Sequence, residues 1–177
     1  MKKDAKITKS ELVYQGSFLK IQRDHLLEPE GRASTVDYVL HPGAALIVPI
    51  TDDDRFILEK QYRPALRREF IEFPAGKLDP GEDPEETARR ELKEETGYTA
   101  REWTRLGRIH PCIGYSNEFI DLFVARGLVK GTADLDPGEH VEVFTVSRNE
   151  FHRMVLAGEV TDAKTLCGYY SFLAHQK

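Results

Sequence analysis

Three carboxylates within a short stretch carry the strongest chemical signal in this chain: Glu91, Glu94 and Glu95. Glu91 and Glu95 stand four apart. With Ala88 and Leu92 they complete the i, i+3, i+4, i+7 stripe that an amphipathic helix turns inward. Carboxylates are rarely buried without a partner, and crowded acids repel one another. A doubly positive ion among them reverses that sign, and oxygen donors suit a hard cation, Mg²⁺ or Mn²⁺. The same segment also holds Glu85–Arg89, Glu86–Arg90 and Arg90–Glu94 at i,i+4, the weak pairs of an ordinary solvated helix. Position separates the two readings. Glu91 and Glu95 share the stripe with Ala88 and Leu92, whereas Glu85, Arg89 and Lys93 lie on the outer face.

These acids need an element to hold them, and the flanking residues supply its ends. Asp83 is an N-cap, Pro84 occupies the first helical position and Glu86 completes a capping box with Asp83. Gly97 ends the helix in a left-handed conformation. A glycine-rich turn at Gly76 precedes it.

The whole stretch GKLDPGEDPEETARRELKEETGY, Gly76 to Tyr98, resembles the Nudix box, written G-x5-E-x7-R-E-U-x-E-E-x-G-U with U a bulky apolar residue. The match runs through Gly76, Glu82, Arg90, Glu91, Leu92, Glu94, Glu95, Gly97 and Tyr98, with Tyr98 where an aliphatic residue is commoner. The resemblance implies a catalytic loop–helix–loop that holds a divalent metal to hydrolyse a nucleoside diphosphate linked to a further group. Glu91 and Glu95 would be metal ligands, assisted by Glu94, with Arg90 orienting the glutamates through an ion pair. The Glu72-Phe73-Pro74-Ala75-Gly76 run is also similar to the family, which implies a metal-ligating carbonyl at Ala75 and a nucleoside contact by Glu72.

Upstream, Gln61-Tyr62-Arg63-Pro64-Ala65-Leu66-Arg67-Arg68 puts three arginines in six residues. Guanidinium binds phosphate bidentately, so Arg63 and Arg67 are candidates for a diphosphate clamp. A charged surface loop explains them equally well. The setting of Arg63 resembles a substrate-contacting arginine in the ADP-ribose pyrophosphatase branch of the family. That branch carries a marker proline in a loop ending in an acid after the box. Here Pro111 lies 13 residues past Tyr98 and Glu118 supplies the acid, while the intervening Cys-Ile-Gly-Tyr departs from the pattern. His110 reads as a strand-end residue.

The branch also implies a catalytic base on a loop just before a strand. Asp134, Asp136 and Glu139 are available there, with Glu142 inside the strand. Glu139 follows Pro137-Gly138, where glycine gives the loop room to move, and is the candidate base. A solvated loop acid is the competing reading.

The remaining chain fixes the frame. Its 177 residues suffice for one catalytic domain with a small appendage. A net charge of −5 argues against coating nucleic acid or anionic membrane. Cys112 and Cys167 form no disulfide framework. The N-terminus lacks an apolar signal region and no apolar run reaches spanning length, which together point to a cytoplasmic protein.

Residues 1–10 read as loose. Leu12–Tyr14, Phe18–Leu27 and Thr35–Leu40 read as a three-stranded meander. It resembles the β extension of the ADP-ribose branch, which implies a homodimer; extension of the main sheet is the alternative. Ala45–Ile50 reads as a central strand, Asp52–Asp54 as a turn, and Arg55–Tyr62 as its hairpin partner. Further strands are expected at Glu69–Pro74, Thr104–His110, Phe119–Ala125 and Val141–Val146.

A helix is expected from Ser147 through Leu156. A last helix, from about Asp162 to His175, is expected to pack Ala163, Leu166, Tyr170 and Leu173 inward. The expected architecture is α/β: the Nudix fold, an α/β/α sandwich around a mixed sheet (44–177) with an N-terminal antiparallel β extension (1–43). The expected activity is Mg²⁺-dependent hydrolysis of ADP-ribose or a related nucleoside diphosphate sugar. A GDP-mannose-type hydrolase is the alternative within enzymes, and a non-cleaving nucleotide sensor the alternative outside them.

Overall fold

The fold is that of a computed structural model describing residues 4–135 and 140–176. Two compact units emerge, Met1–Pro42 with Cys112–Glu118, and Gly43–Pro111 with Phe119–Lys177. The first therefore takes in the segment after Pro111, as well as the N-terminal extension.

The first unit is an antiparallel sheet of β1 (Lys6–Gln15), β2 (Lys20–Leu27) and β3 (Ala33–Val39) in that order. β1 begins well before Leu12, inside the stretch expected to be loose, because pairing with β2 satisfies its backbone from Lys6 onward. Segment 112–118 joins β3 through the Val39–Ser116 bridge. Among the described residues Leu26 is the only buried apolar side chain of this unit. Ile7, Leu12, Val13, Tyr14, Phe18, Ile113 and Tyr115 are exposed.

The second unit contains the core. β4 (Ala44–Pro49) is buried along its whole length, as a strand covered on both faces must be. It lies parallel to β9 (Ile120–Lys130) in a mixed sheet ordered β7 (Ala75–Lys77), β4, β9, β8 (Tyr98–Ile109). Alternation divides the sheet's side chains between two cores. Ala45, Ile47, Phe123 and Ala125 meet Ala88 and Leu92 of α1 (Pro84–Thr96). Leu46, Val48, Leu122 and Val124 face the other way, into a larger core with Phe151 of α2 (Arg148–Leu156) and Tyr169 and Phe172 of α3 (Ala163–His175). The result is an α/β/α sandwich.

β5 (Arg55–Arg63) is not the hairpin partner of β4. Only an isolated Ile50–Phe56 bridge links them, and β5 is instead the centre of a second sheet between β10 (Val141–Ser147) and β6 (Arg68–Glu72). The tight turn at Asp54, with φ of 63°, redirects the chain so that Phe56 and Leu58 join the α2/α3 core. The inward face of α3 also differs from expectation. Thr165, Gly168, Tyr169 and Phe172 are buried, Leu166 and Leu173 lie at the core's edge, and Tyr170 is exposed. Gly168 sets this rotation: a Cβ there would come within 2.6 Å of Leu46 Cδ2, so the helix turns its bare backbone to β4. Cys112 and Cys167 are both free thiols. Among the described residues no helix is long and apolar enough to cross a membrane.

Candidate active site

The site grows from the junction of β7 and α1. The helix is capped as its sequence requires: Asp83 accepts from the Glu85 amide, Glu86 reaches back to Asp83, and Gly97 adopts a left-handed φ of 74°. The cap fixes the rotation that carries Ala88 and Leu92 under the sheet, and the same rotation delivers Glu91 and Glu95 to β7. Glu95 is only 4% exposed and accepts a 3.0 Å hydrogen bond from the Ala75 amide. Glu91 lies over Gly76 so closely that a Cβ at that position would sit 1.7 Å from its Oε1. Only glycine leaves room for this carboxylate.

Arg90 laces the acids together. Its Nε and one terminal nitrogen fork onto Glu82, each at 3.0 Å. The other terminal nitrogen donates to Glu91 at 2.7 Å and to Glu94 at 3.0 Å, and a further bond reaches the Lys77 carbonyl at 3.1 Å. This one guanidinium ties the loop before the helix to a single turn of the helix. The hydrogen bond from Arg90, with help from the Asp79 amide and the Thr87 hydroxyl, holds the Glu82 carboxyl down at about 2. Arg90 in turn is pushed above the ordinary arginine range, chiefly by Glu82.

Four oxygen donors therefore stand around the β7–α1 junction: the carbonyl of Ala75 and the carboxylates of Glu91, Glu94 and Glu95. Their chemistry fits a hard divalent cation, and the space left above Gly76 fits Glu91 as a ligand. Among the described residues no three acidic, histidine or cysteine side chains converge into a ready ligand cage. Arg90 is bonded to two of the acids, and the main-chain oxygen is not a side chain.

The other predicted residues fall in several places. Glu72, at the end of β6, is buried. It is gripped by Arg63 of β5 through two bonds of 2.7 and 2.5 Å, and by Lys164 at the start of α3. Burial pushes this carboxyl up, but the two cations outweigh it and leave it below the usual range. Arg63 thus faces an acid of its own chain. Arg67 is exposed at the β5–β6 turn with φ of 53°. Pro111 is exposed just after β8. Glu118, in the first unit, lies 3.8 Å from His41. Glu139 and Asp136 lie outside the described residues. Asp134 is described, and its amide donates to the Glu94 carbonyl at 3.0 Å, so the chain enters that loop beside the box helix.

Two residues escaped the sequence reading. Lys164 completes the grip on Glu72, and buried Thr165 accepts the Phe73 amide at 2.9 Å. Both sit behind the N-cap Asp162. They anchor the strand that leads to Ala75 and Gly76. The sequence reading places a helix start near Asp162 but no contact of Lys164 or Thr165 with the strand before Ala75.

An α/β/α sandwich with an arginine-laced acidic helix over a glycine turn defines the class, and comparison with known proteins agrees. The NUDIX domain model matches residues 40–167. The chain is 38% identical over 164 residues to ADP-ribose pyrophosphatase of Bacillus subtilis (strain 168), a match covering 92% of this chain and 89% of that one. It is 36% identical to the methanol dehydrogenase activator of Bacillus methanolicus, again over 92% and 89%. Identity to ADP-ribose pyrophosphatase of Mycobacterium tuberculosis is 33%, over 93% and 81%. The crystal structure of an ADP compounds hydrolase shares the fold with a TM-score of 0.84 at 24% identity, over 96% and 92% of the two chains. The chain belongs to the Nudix family.

Proposed function

We propose that this protein is a pyrophosphohydrolase that cleaves the diphosphate of ADP-ribose or a related nucleoside diphosphate sugar. The observation that carries the reading is the set of acids around the β7–α1 junction: Glu82, Glu91 and Glu94 laced by Arg90, with Glu91 over Gly76 and Glu95 on the Ala75 amide. Full-length relatives named ADP-ribose pyrophosphatase support the substrate class. A non-cleaving sensor has no need of intact box acids, and a GDP-mannose-type activity has no observation of its own in its favour.

The cation we assign is Mg²⁺, with Mn²⁺ as a substitute, held by the Ala75 carbonyl, Glu91 and Glu95 with Glu94 assisting. When bound, it neutralises charge that develops on the diphosphate and makes water more acidic. The protein's part is to place these donors. Glu95 is fixed by the Ala75 amide, and Glu91 and Glu94 are fixed by Arg90.

A water oxygen bonds to one phosphorus, the bridging P–O bond breaks, and the leaving phosphate keeps the bridging oxygen. From ADP-ribose the products are AMP and ribose 5-phosphate. Glu139 takes the water's proton in this proposal, and the anchorage of the preceding loop at the Glu94 carbonyl supports it. Glu72, Arg63, Arg67, Pro111 and Glu118 remain the proposed substrate contacts.

We assign a homodimer built on the first unit, whose Ile7, Val13 and Tyr14 are exposed large apolar side chains. The test is turnover of a panel of nucleoside diphosphate sugars with Mg²⁺ and with chelator. ADP-ribose should be cleaved only with metal, and Glu95→Gln should lose several orders of magnitude in kcat with its fold intact. Metal-independent turnover, or a Glu95→Gln variant as fast as wild type at saturating Mg²⁺, would defeat the reading.

A further inference from the structure

Of the arginines proposed as substrate contacts, Arg63 is engaged by buried Glu72, and Arg67 sits at the tip of a turn in the second sheet. Another pair occupies the main sheet itself. Asp121, at the start of β9, is 0% exposed. Its Oδ1 accepts from the Nε of Arg105 at 3.0 Å and from a terminal nitrogen of the same side chain. Its Oδ2 accepts from Arg108 through Nε at 3.1 Å and a terminal nitrogen at 2.6 Å. Burial pushes the carboxyl up, but the two guanidiniums outweigh it and keep it ionised.

One negative charge thus answers two positive ones. The arginine side chains are 54% and 40% exposed. A guanidinium carries five N–H donors, so each keeps donors beyond those spent on Asp121. Arg108 also lies over the Phe119 ring, 3.9 Å from its centroid, a cation–π contact that helps hold its guanidinium in place. Two arginines braced on a buried acid and facing solvent form a rigid, net-positive fork, the geometry that matches a phosphate.

Its location matters as much as its charge. Gly76, Ala45, Asp121 and Arg108 are successive partners across β7, β4, β9 and β8. Ala45 faces α1 with Phe123, two residues beyond Asp121, so alternation puts Asp121 on that face. Arg105 is the partner of Phe123 and Arg108 of Asp121, so both arginines share it. Glu91 covers Gly76 on this same face. Two strand spacings, about 10 Å, separate Gly76 from Asp121, and the long arginine side chains span part of that gap.

We infer that Arg105 and Arg108, braced by Asp121, form an oxyanion-binding site that takes a phosphoryl group of the substrate on the β9/β8 side of the box acids. The proposal deepens the pyrophosphohydrolase reading and rests on it for the substrate. Its chemistry predicts binding of a phosphate without metal, because the positive charge is the protein's own.

The test uses inorganic phosphate as probe, in chelator-treated buffer, by titration calorimetry. The measuring variant is the triple R105Q/D121N/R108Q, which removes the buried acid along with its partners and so leaves no unpaired charge inside. The single R105K keeps the charge and loses the fork. Wild type should bind phosphate, with at least tenfold weaker affinity in the triple variant and an intermediate loss in R105K. E95Q, which carries the metal-site defect, should bind as wild type. In turnover of ADP-ribose, KM of the triple variant should rise at least tenfold while kcat stays within about threefold. A merely structural cluster would lower thermal stability and leave phosphate affinity and KM alone. Phosphate binding equal in wild type and triple variant, or absent from wild type, overturns the site. Phosphate binding lost in the triple variant, with no nucleoside diphosphate sugar cleaved by wild type, keeps the site and sinks the reading of function instead.

Discussion

Gly76 offers the sharpest test of how the box is assembled. A methyl group there would sit 1.7 Å from Glu91 Oε1 and 1.9 Å from its carboxyl carbon. Ordinary carbon–oxygen contact is about 3.3 Å, so the carboxylate must retreat by roughly 1.5 Å, more than a rotamer relaxes within its well. What moves is the end of a flexible side chain, not the backbone. The stability cost is therefore small: Glu91's bond from Arg90, partly exposed and shared with Glu82 and Glu94, contributes on the order of 1 kcal/mol. That corresponds to a Tm lower by about 2–4 °C for a chain of this size. Function should fare far worse. A misplacement of about 1 Å at a catalytic centre costs on the order of a hundredfold in rate.

Gly76→Ala should accordingly fold, melt within a few degrees of wild type, and lose at least about a hundredfold in kcat on ADP-ribose. Manganese affinity, followed by electron paramagnetic resonance, should weaken with it. A variant with wild-type kcat and metal affinity would show that Glu91 does not act from its place over Gly76. A variant that unfolds would show that the turn, and not the carboxylate, is what glycine protects.

Three further outcomes follow from the same contacts. Glu82 has a folded pKa of about 2 against 4.5. Its contribution to stability is therefore complete above about pH 4.5 and is lost as pH falls toward 2, so acid unfolding of Glu82→Gln should be flatter than wild type in that window; superimposable acid melts would remove Glu82 from the account. Thr165→Val leaves the buried Phe73 amide without its acceptor, which costs about 1–3 kcal/mol, and denaturant unfolding should report that loss while a Thr165→Ser variant restores most of it. Deleting residues 1–40 should convert a dimer to a monomer or an aggregate in light scattering, and a fully active monomer would dispose of the dimer assignment.

How far the sequence carried depends on the distance over which each feature is determined. The box helix was legible nearly to the residue because its cause is local. Asp83, Pro84, Glu86 and Gly97 act within a turn of themselves, and the Ala88/Leu92 stripe already separates inner from outer acids. β4 was legible because burial on both faces leaves a continuous apolar run. The failures share a non-local cause. β5 looked like the partner of β4 because a short aspartate turn joins them, yet β5 pairs with β6 and β10, and Phe56 and Leu58 are buried in the α2/α3 core. The face of α3 was misjudged because period alone cannot register that Gly168 must meet Leu46.

Among the site residues the same division holds. Arg90 and its glutamates lie close in sequence, in the box helix and the loop just before it. Lys164 meets Glu72 across 92 residues, and Asp121 meets Arg105 and Arg108 across a bulged strand pair. A buried acid gives no sign in one sequence of which distant cation balances it. Arg63 and Arg108 are equally arginine on paper, and only the fold decides that one spends its fork on the chain's own glutamate while the other keeps donors turned to solvent. The chemistry held in common with the family is local and readable. What would set this protein's own substrate preference is assembled from afar.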